Sequence, residues 1–233
     1  MRRQCAATNC RSAYDSHCNC PSSSLATGKE ADTVPLLVAA LMLLAQAAPA
    51  LPPPYPRAGT TKLLENDQVI VWDVAWLEQQ YPLHTHRYDL VGMSYVDGDR
   101  IILQEDGTRR RFSTRAWTFQ TQRAGVTHYE EGVGEPPMRS IQIELKSPGP
   151  RGTTGAAGES LRQLFGPPAA ENARAVVFLL RSGSSSAPHR HGADAVEIVF
   201  DGSQPAVTFV PSGTSHGGPV LSASGRAYIF ELK

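Results

Sequence analysis

Across residues 62–146 and 172–233, short runs of β-branched, aliphatic and aromatic residues alternate with polar ones, and no long helical stripe appears. Val69–Val74, Ile101–Gln104, Ser140–Leu145 and Ala206–Val210 are the clearest of these runs. Their period approaches two, at which successive side chains of a strand point to opposite faces. Asp97-Gly98, Asp106-Gly107 and Asp201-Gly202 punctuate them, as turns do in antiparallel hairpins. The pattern predicts an all-β protein made of sandwiched barrels of the jelly-roll kind. One exception is Glu159–Phe165, which predicts a helical turn or two inside a Gly/Pro/Ala-rich stretch.

The chain also repeats itself. Gln68–His86 (QVIVWDVAWLEQQYPLHTH) pairs without a gap with Ala173–His191 (ARAVVFLLRSGSSSAPHRH) at an offset of 105. Asp89 then meets Asp194, Asp97-Gly98 meets Asp201-Gly202, and Gly125-x-x-His128 meets Gly213-x-x-His216. The two halves close on Ile141–Lys146 (IQIELK) and Tyr228–Lys233 (YIFELK). This organisation gives one unit over residues 62–146, a linker over 147–171 and a second unit over 172–233.

The histidines follow the same repeat. Apart from His17 there are six: His84, His86 and His128 in the first half, and His189, His191 and His216 in the second. Residues two apart on a strand share a face, so each His-x-His pair aims one way, and a third histidine on a neighbouring strand completes a triad. Three neutral imidazoles suit a divalent transition metal and leave coordination positions open.

With these motifs the chain resembles the cupin superfamily. The first family motif reads G-x5-H-x-H-x3,4-E-x6-G and the second G-x5-P-x-G-x2-H-x3-N. In the second half, Gly183, His189, His191 and Gly202 stand at first-motif positions, and Pro211, Gly213 and His216 at second-motif positions. In the first half, His84, His86, Gly98, Gly125 and His128 match, while Arg123 stands where the proline would be. The resemblance implies two tandem double-stranded β-helix units, a bicupin, each with a metal (iron, zinc, manganese, nickel or copper) inside the barrel mouth.

Two departures qualify what the resemblance implies. The family's acidic ligand would fall at Val91 and Ala195, which cannot bind metal. Asp89 and Asp194 lie on the opposite strand face unless a bulge turns them, and Asp89 is expected to cap or salt-bridge nearby. Glu197 has inward parity but comes two positions late. The expected site is therefore three histidines, as in thiol dioxygenase-like cupins, rather than three histidines and a glutamate. The second departure is length: His86 to His128 spans 42 residues and His191 to His216 only 25. The second unit lacks a counterpart of Asp99–Phe119, so it is expected to miss a strand pair and to offer the poorer pocket.

Two functional classes fit this reading. One is a small-molecule metalloenzyme, with dioxygenase-like chemistry on iron or Lewis-acid chemistry on zinc or nickel. The other is a non-catalytic small-ligand or metal-binding bicupin of the cell envelope. Tyr88, Tyr95, Tyr129 and Glu130 are candidate helpers. Tyr95 also fits a core strand position, and Glu130-Glu131 a solvated turn. Arg109-Arg110-Arg111 with Arg115 fits a charged hairpin edge that blocks edge-to-edge pairing. A net charge of zero, with 22 basic and 22 acidic residues, argues against nucleic acid as a partner. A homodimer through exposed strands is compatible with the pattern.

The N-terminal 50 residues read differently. Val34–Ala50 is uncharged, rich in Leu and Ala, and ends in Ala48-Pro49-Ala50, the small-x-small pattern of a signal-peptidase site. At 17 residues it is short for a membrane span, which needs about 20. Export to the periplasm or medium is expected, with no membrane span left after cleavage. Residues 1–33 are polar and hold all four cysteines, Cys5, Cys10, Cys18 and Cys20. Their spacing forms no paired zinc knuckle, and translation is expected to start near Val34.

Overall fold

The computed structural model describes residues 50–147, 158–183 and 187–233. The export-signal reading of 34–50, apart from Ala50, the cysteines with His17, and the centre of the linker lie outside the described residues.

The first half contains β1 (Thr60–Glu65), β2 (Val69–Ala75), β3 (His84–Thr85), β4 (Asp89–Val96), β5 (Gly98–Leu103), β6 (Arg109–Thr114), β7 (Phe119–Gln122), β8 (Thr127–Val133) and β9 (Arg139–Leu145). A five-stranded sheet in the order β1-β2-β9-β4-β7 faces a four-stranded sheet in the order β3-β8-β5-β6. The second half contains α1 (Glu159–Phe165), β10 (Ala170–Glu171), β11 (Ala175–Arg181), β12 (His189–Arg190), β13 (Ala195–Phe200), β14 (Ala206–Val210), β15 (Ser215–His216) and β16 (Arg226–Leu232). Its large sheet, β10-β11-β16-β13-β14, repeats the first strand for strand, and β12-β15 repeats β3-β8. Among the described residues, strands β5 and β6 have no counterpart there. The protein is all-β, with two jelly-roll units of which the second is truncated.

On the inner strands alternation separates two buried faces, not a core from solvent. On β9, Ile141, Ile143 and Leu145 are buried, and so are Ser140, Gln142 and Glu144 between them. The apolar set joins Val69, Val71, Val91 and Met93 in one cluster with Ala175, Val177, Val196, Ile198, Tyr228, Phe230 and Leu232 of the other half. The two five-stranded sheets thus pack against each other through their apolar faces. The polar set of β9 turns into the first barrel, where a site can use it.

The truncated unit fills its interior with the linker helix. Leu161 of α1 is fully buried among Val176, Phe178, Leu180, Ala195, Ala227 and Ile229. A seven-residue helix is marginal alone, so this anchor holds it. One turn expectation needs amending. Asp106-Gly107 is a hairpin tip, with Gly107 at φ 84°, whereas Gly98 opens β5. A Cβ at Gly98 would lie 2.7 Å from that of Met138, so close packing excludes a side chain there.

Candidate metal sites

The repeated glycines explain how the histidines meet. Gly125 and Gly213 adopt φ of 82° and 76°, a conformation costly for other residues. In that turn Gly125 N donates to His86 O at 2.7 Å and Gly213 N to His191 O at 2.9 Å. Each His-x-His segment is thereby pinned to the strand that follows its glycine. Three residues on, His128 pairs directly with His84, and His216 with His189.

In the first half His84, His86 and His128 are 3%, 5% and 4% exposed. Their ring centroids lie 4.8–5.3 Å apart, and one nitrogen of each falls within 4.8 Å of the others. His84 Nδ1 lies 3.0 Å from Pro82 O. A carbonyl can only accept, so that ring is protonated at Nδ1 and its Nε2 lone pair is free. Nε2 of all three rings has no hydrogen-bond partner among the described residues. Burial pushes His86 and His128 down to about 4 and lowers His84, against the opposing pull of Glu130. Three neutral imidazoles, each with an unpartnered Nε2, fit a metal ion.

Beside them lies a cavity of about 310 Å³, lined by His86, His128 and Glu130 together with Tyr55, Arg100 and Gln120 among others. Glu130, read from the sequence as a candidate helper or as part of a solvated turn, is a β8 residue, 3% exposed, two positions after His128 and on the same face. Arg57 approaches its Oε2 at 2.7 Å and Arg100 its Oε1 at 3.1 Å. Burial raises the Glu130 carboxyl, but Arg57 and then Arg100 outweigh it and hold the group at about 2. Its Oε1 is 3.8 Å from His128 Nε2, beyond hydrogen-bond reach.

The other proposed helpers lie elsewhere. The Tyr95 hydroxyl donates to Asp73 Oδ1 at 2.7 Å and its ring packs on Phe200. Tyr88 and Tyr129 do not line the cavity. Tyr55, from the proline-rich stretch ahead of β1, does. That stretch is part of the barrel: Pro52 O accepts from Thr85 N at 3.0 Å, and Tyr55 is buried against Trp72. Sequence reasoning missed Tyr55, Arg57 and Arg100 because no repeat or motif marks them.

The second half departs from the three-histidine expectation. Glu197 is 6% exposed, and its Oε1 lies 3.6 Å from His191 Nε2 and 3.4 Å from His216 Nε2. His189, His191, Glu197 and His216 form one possible ligand group within 4.8 Å. Inward parity on β13 decided this, although the spacing is two residues longer than the family motif. His189 Nδ1 lies 3.1 Å from Ala187 O, as His84 does from Pro82. His191 Nδ1 lies 3.0 Å from Glu231 Oε1, a fully buried carboxylate that also accepts from Gly192 N and Gly158 N. Burial pushes the His191 ring down, and Glu197 and Glu231 more than reverse it. The equivalent of Glu231 in the first half, Glu144, instead accepts from Trp72 Nε1 at 2.8 Å.

Asp89 takes the structural role expected of it, and Asp194 a similar one. Asp89 accepts from Ala124 N and pairs with Arg174, and Asp194 accepts from Ser212 N. Val91 and Ala195 are core residues. Arg109, Arg111 and Arg115 pair with Glu131, Asp99 and Asp97 along the β5–β6 edge.

Strand order and paired histidines together define a cupin-type fold with a histidine-rich group able to hold a metal. No protein-family model matches the chain, and comparison with curated proteins returns no relative. Solved structures similar to it include cupin proteins. A cupin domain of Bordetella pertussis Tohama I is 20% identical, covering 40% of this chain and 99% of that one (TM-score 0.36). AerE from Microcystis aeruginosa is 13% identical over 79% of this chain and 97% of its own (TM-score 0.48). A cupin 2 conserved barrel domain protein from Leptotrichia buccalis is 12% identical over 77% and 91% (TM-score 0.43). These likenesses bring no ligand or reaction to this chain. Among the described residues no helix is long and apolar enough to cross a membrane.

Proposed function

We propose that the first unit is a metal-dependent small-molecule site in an exported protein, with His84, His86 and His128 as the metal ligands. The observation that carries this reading is the set of three buried Nε2 atoms, all without partners, beside a cavity of about 310 Å³. An unpaired buried acceptor is costly, and one divalent ion would satisfy all three. When bound, such a metal supplies Lewis-acid or oxygen-activating chemistry. The protein's own contribution is a fixed His84 tautomer, with Arg100 and Tyr55 to orient a ligand in the cavity. In the second unit, His189, His191, His216 and Glu197 are proposed to hold a further ion, with Glu231 orienting His191. The stretch over 34–50 is proposed as the export signal, placing the mature chain in the periplasm or medium.

A binding role without turnover has one specific observation in its favour. Glu130, the sole carboxylate lining the cavity among the described residues, is locked between two guanidinium groups and is not free to move protons.

The test is elemental analysis of the mature chain from Leu51 onward in a His189→Ala/His191→Ala background. About one equivalent of metal is expected, lost when His84→Ala and His86→Ala are added. A folded protein with no metal in either background would sink the proposal.

A further inference from the structure

The cavity beside the first histidine cluster carries an unbalanced charge. Its one carboxylate among the described residues, Glu130, is shared by Arg57 and Arg100, and the nearer of the two is Arg57 at 2.7 Å. Arg57 is sealed into the wall, its side chain 8% exposed and its guanidinium 3.7 Å from the Tyr81 ring centroid. Arg100 is not sealed: its side chain is 21% exposed and lines the cavity. Its Nη1 donates to Glu130 and its Nη2 to Gln120 Oε1 at 3.2 Å, while its Nε has no partner among the described residues. The amide nitrogen of Gln120, on the same wall, has none either.

One positive charge is therefore left over in a confined space, with two unused donors beside it. Such a charge calls for a counter-ion, and with Nη1 and Nη2 engaged, the free Arg100 Nε–H and the Gln120 amide together suit the two oxygens of a small carboxylate. The rest of the lining adds an apolar stretch that includes Ile102 and Phe112, the latter 37% exposed and so at the rim. The volume lies at the low end of ligand pockets, which start near 300 Å³.

We propose that this cavity binds a small monocarboxylate, its charged end on Arg100 and Gln120 and its apolar remainder along Ile102 and Phe112. The inference rests on the reading of this cavity as a ligand site and names the ligand class, but it does not require the metal.

Calorimetric titration of the full chain with benzoate and hexanoate, against benzamide and hexanamide, tests it. Carboxylates are expected to bind at least about tenfold more tightly than the amides. Arg100→Gln should abolish that preference, and Arg100→Lys should keep part of it. Equal binding of acids and amides by the unsubstituted protein would overturn the proposal, whether or not the variants fold. So would a preference that survives Arg100→Gln in a protein with a native circular-dichroism spectrum. Repeating the titration after chelation separates this idea from the metal reading. A preference that persists in a protein that never held metal supports carboxylate recognition while the metal reading falls. A preference lost with the metal yet unmoved by Arg100→Gln overturns carboxylate recognition by Arg100 and leaves the metal reading standing.

Discussion

Glu130 and Glu131 are neighbours in sequence and opposites in physics. Alternation on β8 sends Glu130 inward between Arg57 and Arg100, while Glu131 meets the half-exposed Arg109 on the outer face. Removing a buried carboxylate leaves two guanidiniums without their counter-charge, a loss of about 3–5 kcal/mol. Removing an exposed partner costs about 0–1 kcal/mol. Glu130→Gln should therefore shift the urea midpoint far more than Glu131→Gln, and comparable shifts would refute the assigned pairing. The same contrast shows what could be read from sequence. The histidines were legible because the chain states them twice at fixed spacing. Glu130 was not, because an acidic pair in a strand gives no hint of which member finds a buried cation. Its partner Arg57 lies more than 70 residues away, in a segment without periodicity. Glu197 was half legible: its parity was right, and only the motif's spacing argued against it.

Between the two halves, the elements differ in one hairpin and one helix. The first barrel keeps β5 and β6, whose residues Arg100, Ile102 and Phe112 build one wall of the cavity. The second lacks them and tucks Leu161 of α1 into its interior. The missing strand pair could be counted from the interval between histidines, and the short helix from Glu159–Phe165. That the helix would plug the barrel could not, since no local pattern shows where an isolated turn docks. Leu161→Ala should cost about 2–5 kcal/mol, as deletion of a fully buried leucine side chain does. Hydrogen exchange should rise in α1 and β11, which pack together, and stay unchanged in β5 and β6. Equal acceleration in both barrels would mean that α1 is not a local plug.

At the scale of the whole molecule, the two halves are joined by more than a linker. Each five-stranded sheet turns an apolar face to the other, and both contribute to a single cluster of buried side chains. Trp117 extends the seam, stacking on Tyr228 and packing edge-on against Phe200. The apolar alternation that predicted strands did not tell which face would meet the partner sheet, because both faces of β9 are buried. A fragment of residues 50–147 would uncover Val69, Val71, Val91, Met93, Ile141, Ile143 and Leu145 together. Exposed apolar patches larger than a few hundred Å² are rare on soluble monomers. The fragment should therefore self-associate or precipitate, while the intact chain from Ala50 unfolds in one cooperative transition. Light scattering of the fragment and the shape of the full chain's denaturation curve check the two expectations. A soluble monomeric fragment, or two separate transitions in the intact chain, would show that each unit is stable without the shared core.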